Sequence, residues 1–216
     1  MPSIKQRAVS DSQKAQRRQD ILDSARELFK QSNHYDSILM VHIAKNISLT
    51  KGTLYLYFKT KEEVFLALYQ QEFDQLIDRL IKALDEIDVG SVDHFHSAII
   101  DSMLGYDTFL RLNGMLHSVL EHNIEEGTAL NFKTFLRDHL IVLSAKIEGK
   151  FPELKMGEGA QLMLLIHEVL IGTYHAASPS PCLESILERP DMSFMKLDFE
   201  QEFSKLLSLV LKGFFK

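Results

Sequence analysis

The chain has 216 residues, 24 Lys+Arg against 30 Asp+Glu, a formal net charge of -6, and 45% hydrophobic residues. That much apolar surface can offset the entropy of ordering a chain, which excludes a disordered polypeptide, and the length allows one large domain or two small ones. A single cysteine, Cys182, excludes a disulfide framework and a cysteine-built zinc cluster, and fits a reducing compartment.

The first twenty residues, MPSIKQRAVSDSQKAQRRQD, are polar and basic with no apolar core, so they do not read as a signal peptide. The longest apolar stretch, Leu162 to Gly172, is interrupted by His167 and Glu168 and is too short to cross a bilayer. A cytoplasmic protein with no membrane partner is expected. Charge is unevenly placed. Residues 1–61 hold eleven Lys and Arg against five Asp and Glu, a net of +6, and the remainder is -12. A basic first quarter on an acidic body suggests a local polyanion site, although a solvated basic surface has the same composition.

In chain order, the basic run Lys5 to Arg18 reads either as an arm that orders on DNA or as an ordinary frayed terminus. Ile21, Leu22, Ala25, Leu28 and Phe29 then mark one face of a helix. Leu39–Lys45 and Leu49–Phe58 are two short apolar-patterned pieces separated by Asn46-Ile47-Ser48, the shape of a helix-turn-helix. Ile43, Ala44, Leu49 and Leu54 are expected to pack these two helices together. A long helix follows from Lys61 to about Asp88, with Thr60 at its cap and Glu62 and Glu63 complementing its dipole. Helices are predicted over Val92–Tyr106, Asp107–Asn123, Thr128–Lys150, Gly157–Ala177 and Asp198–Phe215. A short helical piece lies between the loop signals Ser178-Pro-Ser-Pro181 and Arg189-Pro190. No run shows the period-2 alternation of a sheet, so the chain reads as all-α with about nine helices.

The second short helix presents Thr50, Lys51, Gly52, Thr53, Tyr55 and Tyr57. Hydroxyls and a lysine suit phosphates and base edges, and Gly52 lets backbone come close. The N-terminal part of such a helix enters the major groove. The same residues also fit a small helical hairpin whose tyrosines simply pack. The stretch IAKNISLTKGTLYLYFKTKEEVF resembles the signature of TetR-family transcriptional regulators, and RQDILDSARELFKQSNHYDSI resembles that family's first helix. The clear resemblance covers about residues 17–69.

The resemblance implies a dimeric DNA-binding regulator, most simply a repressor released from a palindromic operator by a small molecule. It implies a three-helix DNA-binding domain over 1–61 and a helical effector-binding and dimerisation domain over 62–216. It places Thr50, Lys51, Gly52 and Thr53 at the start of the recognition helix, Tyr55 and Tyr57 against backbone and bases, and Lys61 on a phosphate. Three positions depart from the family pattern. Ser48 stands where a turn glycine is usual. Leu39 replaces a Thr or Ser that opens the second helix, with Ser37 as a substitute. Leu56 replaces an aromatic residue and suits a thymine methyl. These departures bear on operator preference and on the strength of DNA binding.

In the body, Gly159–Ala177 and Asp198–Phe215 are apolar round more than one face, which fits core or a four-helix dimer interface with two helices per chain. The family resemblance favours the interface. Polar groups in apolar runs, Asn113, His117, His139, His167 and Tyr174, with Met103, Met115 and Met163, could line an effector pocket. Any one of them taken alone fits a hydrogen-bonded core or interface group better. His94 and His96 point apart on a helix, and His117 with Glu121 supplies only two ligands, so no metal or cofactor is expected. With no catalytic fingerprint, the chain is not expected to be an enzyme. The alternative function is a helical interaction or ligand-binding protein that keeps the fold without reading DNA sequence.

Overall fold

A computed structural model describes residues 4–32, 34–103 and 105–215, with side chains from residue 11 onward. Among them are ten α-helices and no strand. They are α1 (Ile4–Gln31), α2 (Met40–Asn46), α3 (Lys51–Tyr55), α4 (Lys61–Glu86), α5 (Val92–Met103), α6 (Asp107–Met115), α7 (Glu126–Lys150), α8 (Glu158–Ala177), α9 (Pro181–Leu187) and α10 (Phe199–Phe214). The tenth arises because the short piece after Pro181 is a true helix. The chain divides into two compact units. One comprises residues up to Glu72 together with Met115–Leu130, and the other Phe73–Gly114 together with Asn131 onward.

Three elements differ from expectation. α1 starts at Ile4, so the basic run is helix rather than a loose arm. That run has no glycine and no proline after Pro2, and side-chain bonds such as Gln16 to Asp20 and Gln19 to Asp23, each 3.0 Å, support it at i,i+4. It lacks an apolar stripe, so periodicity could not reveal it. α3 is only five residues long, because Thr50 caps its start and the chain tightens after Tyr55: the N–H of Leu56 bonds Thr53 O and that of Tyr57 bonds Leu54 O. The helix expected over 107–123 ends at Met115 and continues as a π-helical turn over Leu116–Leu120.

In the first unit, α1 contributes Ile21, Leu22, Ala25 and Phe29 to the core, α2 contributes Ile43 and Ala44, and α3 contributes Leu54. Leu49 is half-buried beside them. Phe65 of α4 is fully buried, with edge-on ring contacts to Phe29 (5.4 Å) and Tyr35 (5.0 Å). Full burial of one such ring is worth about 1.5–3 kcal/mol, and here it joins α1, α4 and the 3-10 turn Tyr35–Ser37. The buried Ser24 hydroxyl donates to Ile43 O (3.0 Å) and ties α1 to α2. Across the rim, Arg26 bonds Glu72 (2.8 Å), Asp23 (2.6 Å) and Gln71 (2.9 Å), fastening α1 to α4.

In the second unit, α10 packs on α8 and α5. Phe95, Phe151, Leu162, Ile166, Phe203 and Leu207 form its core. α7 and α8 approach so closely that a Cβ on Gly159 would lie 2.7 Å from Ser144 O. Glu148 of α7 serves the start of α8. Its carboxylate accepts from the backbone N–H groups of Gly157 (2.8 Å) and Gly159 (3.1 Å) and from the Ser144 hydroxyl (2.7 Å). Gly157 adopts φ 92° at the N-cap and offers no side chain of its own, so this cap comes from the neighbouring helix.

The Ser144 bond, helped by the two glycine N–H groups, holds the Glu148 carboxyl below its ordinary value against the opposing effect of desolvation. Because the folded-state value is the lower one, the stabilisation is complete above the ordinary carboxylate range and drains away as pH falls through the folded value. The expected outcome for Glu148→Gln is therefore a lower urea midpoint at neutral pH and a gap to the parent that closes on acidification. A gap that is constant from pH 7 to pH 3 would contradict this.

Candidate nucleic-acid interface

The candidate surface is built on the turn between α2 and α3. Ser48 in that turn is left-handed, with φ 54°, where a residue with a Cβ is strained. The conformation is held by Ser48 N–H to Lys45 O (3.2 Å) and Leu49 N–H to Ala44 O (2.8 Å). Thr50 then caps α3. Its Oγ1 accepts from Thr53 N–H (3.1 Å) and pairs with the Thr53 hydroxyl (2.8 Å). Lys51, Gly52, Tyr55 and Leu56 are exposed, and Thr53 and Tyr57 are half-buried. Leu54, between them, is fully buried and fixes which face of α3 turns outward. A Cβ at Gly52 would meet only Thr50 Oγ1, at 3.9 Å. Among the described residues nothing demands glycine there.

Lys61 is partly spent within the protein. Its Nζ donates to Tyr35 O (3.1 Å) and sits 3.7 Å from the centroid of the Tyr35 ring. Partial burial holds the amine below its ordinary value. The Tyr35 hydroxyl donates to Glu62 (3.3 Å) and is pushed well up, first by burial and then by that carboxylate. Lys61 nonetheless lines an open groove of about 400 Å³ with Leu39, Val41, Lys51, Tyr55 and Lys59. The Lys51 amine lies 5.6 Å from the Tyr55 ring centroid.

The three departures now have positions. Leu39 is the N-cap of α2 with no side-chain cap, and its N–H donates to His42 Nδ1 (3.3 Å). The Ser37 hydroxyl donates to His34 O and pairs with the Ser32 hydroxyl, 2.7 Å each, so it is engaged locally. Leu56 is 84% exposed, an apolar side chain standing free at the end of α3. Two contacts had no signal in the chain. Arg18 stacks 4.6 Å from the Phe58 ring centroid, and burial lowers its guanidinium from the ordinary value. Lys59 pairs with Glu125 at 2.5 Å, 66 residues away.

The residues expected to form an effector pocket are only partly assembled. In the second unit, His167 Nε2 and Asn113 Oδ1 lie 3.1 Å apart. One residue on from Asn113, Gly114 lies beneath the half-buried Tyr174 ring, which a Cβ would approach to 2.6 Å. Burial raises the Tyr174 hydroxyl against the smaller effect of Ser178. Met163 is half-buried on α8. Met103 lines a separate small cavity of about 60 Å³ with Ile100, Leu110, Phe199 and Phe203. His139 sits among the rings of Phe73 and Phe135, 2.9 Å from Asp74. His117 belongs to the first unit and pairs with Glu121 at 3.2 Å. Among the described residues no group of three or more His, Cys, Asp or Glu is placed to hold a metal ion, and no helix is long and apolar enough to cross a membrane.

Comparison with known proteins agrees with this geometry. The profile described as "Bacterial regulatory proteins, tetR family" matches residues 21–68, and "Tetracyclin repressor-like, C-terminal domain" matches residues 70–215. The chain belongs to the TetR family. TetR-family regulators bind operator DNA and dimerise. The chain is similar to the "Fatty acid metabolism regulator protein" of Bacillus subtilis, at 32% identity over 34% of this chain and 38% of that protein. It is also similar to the "Biofilm operon icaADBC HTH-type negative transcriptional regulator IcaR" of Staphylococcus epidermidis, at 26% identity over 56% of this chain and 65% of that one. The matched stretches thus span less than two thirds of either relative. The structure of a possible TetR family transcriptional regulator from Streptomyces coelicolor A3(2) superposes with a TM-score of 0.60 at 19% identity, covering 91% of this chain and 97% of that one. At that identity the likeness is one of fold.

The Ser48 strain leads to a specific expectation. A left-handed residue with a Cβ costs about 1–2 kcal/mol, and glycine's extra unfolded-state freedom costs about 0.5–1 kcal/mol. Ser48→Gly should therefore raise stability by up to about 1 kcal/mol in urea unfolding, with no change in helix content by circular dichroism. A fall in stability would show that the Ser48 side chain supplies something this geometry does not reveal.

Proposed function

We propose that this TetR-family chain is a homodimeric, ligand-responsive transcriptional regulator that works in the cytoplasm. It acts as a repressor on a palindromic operator and is released by a small molecule. The observation that carries the DNA-reading part is the outward face of α3. Lys51, Gly52 and Tyr55 are exposed over a buried Leu54, behind a threonine cap, with a lysine-lined groove alongside. These groups can donate to phosphates and base edges without disturbing the core beneath. Thr50, Thr53, Tyr57 and Lys61 complete the surface, and exposed Leu56 offers an apolar contact to a thymine methyl.

Dimerisation through α8 and α10 is supported by apolar side chains left in the open. Leu164, Leu165, Leu206 and Leu209 are 52%, 41%, 37% and 59% exposed on these two helices. A stripe of that kind on two helices suits a four-helix interface. Two copies related by a two-fold axis would carry two recognition helices to successive major grooves. An effector is accommodated in the second unit, where Asn113, His167 and Tyr174 supply polar groups among apolar neighbours; Met103, Met163 and His139 are further candidates of that unit, and His117 is one in the first. α4 begins in one unit and ends in the other, which makes it the lever. To release the operator, the effector must favour the non-binding state by several kcal/mol, about 5.5 for a complete switch.

The test is a duplex selected by the protein from a random-sequence pool, compared with a scrambled duplex at physiological salt. A large preference is expected. Tyr55→Ala and Lys51→Gln, which remove nothing the fold depends on, should each weaken binding about tenfold or more and leave the dimer intact in sedimentation. Leu206→Glu with Leu209→Glu should yield monomers with weakened operator binding. A protein that keeps the fold as an interaction module would prefer no duplex, and Tyr55→Ala and Lys51→Gln would change nothing.

A further inference from the structure

Three lysines, Lys51, Lys59 and Lys61, line the groove beside α3, and they are not equivalent. Lys61 is anchored on Tyr35 and Lys51 rests near the Tyr55 ring. Lys59 alone of the three is held by an acid. Its Nζ lies 2.5 Å from Glu125 Oε1, with the two side chains 63% and 62% exposed. The pair draws the Lys59 amine above its ordinary value, through the hydrogen bond first and the charge second.

The carboxylate is delivered by a folded loop rather than by proximity in the chain. That loop runs from the π-helical turn to α7 and passes through Asn123, which is left-handed at φ 54°. Asn123 Nδ2 donates to Glu62 Oε2 (3.2 Å) and the Thr128 hydroxyl donates to Glu63 Oε1 (3.4 Å). Glu63 in turn accepts from the Lys59 backbone N–H (2.7 Å). The loop is therefore docked on the first turn of α4 from both sides of Glu125, all within the first compact unit.

We propose that Glu125 is a built-in competitor of DNA for Lys59: a carboxylate holding the place of a backbone phosphate. This rests on the reading of the α3 face as a DNA surface. Carboxylate and phosphate offer the same anionic oxygen to an ammonium group. An exposed ion pair is screened and weak, so the phosphate of an arriving duplex can displace it. The displaced Glu125 is then left facing the phosphates and opposes binding. Lys59 is thus a further phosphate-binding residue, and Glu125 sets how much affinity it contributes.

The experiment measures binding to the selected duplex by fluorescence anisotropy across a salt series. It uses the full chain and the variants Glu125→Gln, Lys59→Gln, the double variant, and Glu126→Gln as a charge control. Glu126 is an exposed neighbour that forms no pair with Lys59. Glu125→Gln should bind about two- to fivefold tighter. Its slope of log affinity against log salt should steepen by up to about 0.9, the value of one phosphate neutralised. Lys59→Gln should bind more weakly with a shallower slope, and in that background Glu125→Gln should do no more than Glu126→Gln. If Glu125→Gln and Glu126→Gln behave alike in the parent, or if the double variant is additive, the competition is overturned while DNA reading stands. If the parent selects no duplex at all, both readings fall together.

Discussion

The surface around α3 and the start of α4 depends on one buried ring. Phe65 locks edge-on against Phe29 of α1 and Tyr35 of the 3-10 turn, and the groups proposed to meet DNA are arranged around that lock. Tyr35 is the hinge of the arrangement. Its ring packs on Phe65, its carbonyl and ring face hold Lys61, and its hydroxyl reaches Glu62. The start of α4 is thereby fixed by core packing rather than by its own exposed residues. Leu54, Ile43 and Ala44 do the same for α3 from beneath. A helix of five residues, as α3 is, is far too short to be stable alone, because helix nucleation is costly. It exists because one buried leucine and one threonine cap hold it to a core that is already formed.

The second unit follows a different rule. Its helices carry apolar residues on several faces, and close approach is allowed where side chains are absent. Gly159 against Ser144 and Gly114 beneath Tyr174 mark two such crossings. Helix ends there borrow partners from neighbours, as α8 borrows Glu148 from α7. A unit assembled this way leaves Leu164, Leu165, Leu206 and Leu209 exposed on α8 and α10. It also scatters polar groups. His139 finds Asp74 and His167 finds Asn113, so a pocket cannot be inferred from their number alone.

How legible was this in the chain? The helical class, the long α4, α7, α8 and α10, and the packing residues Ile43, Ala44 and Leu54 were readable because each rests on a local period of apolar residues. The turn around Ser48 is readable because it depends on a few adjacent residues, whereas Thr50, expected within the second helix, is its cap. Helix lengths at polar sequences were not: α1 extends back to Ile4 through a stretch with good propensity and no stripe to report it. The early end of α6 at a π-helical turn has no periodic signature either.

The sequence by itself determined that this is an all-helical chain with a basic helix-turn-helix quarter, since charge balance, apolar period and turn chemistry are local properties of neighbouring residues. Only the tertiary structure decided that Lys61 is tied to Tyr35, that Arg18 lies on Phe58, and that Glu125 sits on Lys59 across 66 residues. Such pairings are set by how helices cross, and a crossing is the joint outcome of many buried contacts. No spacing along the chain encodes it, and the loop that carries Glu125 could be placed only once the first unit had closed around it.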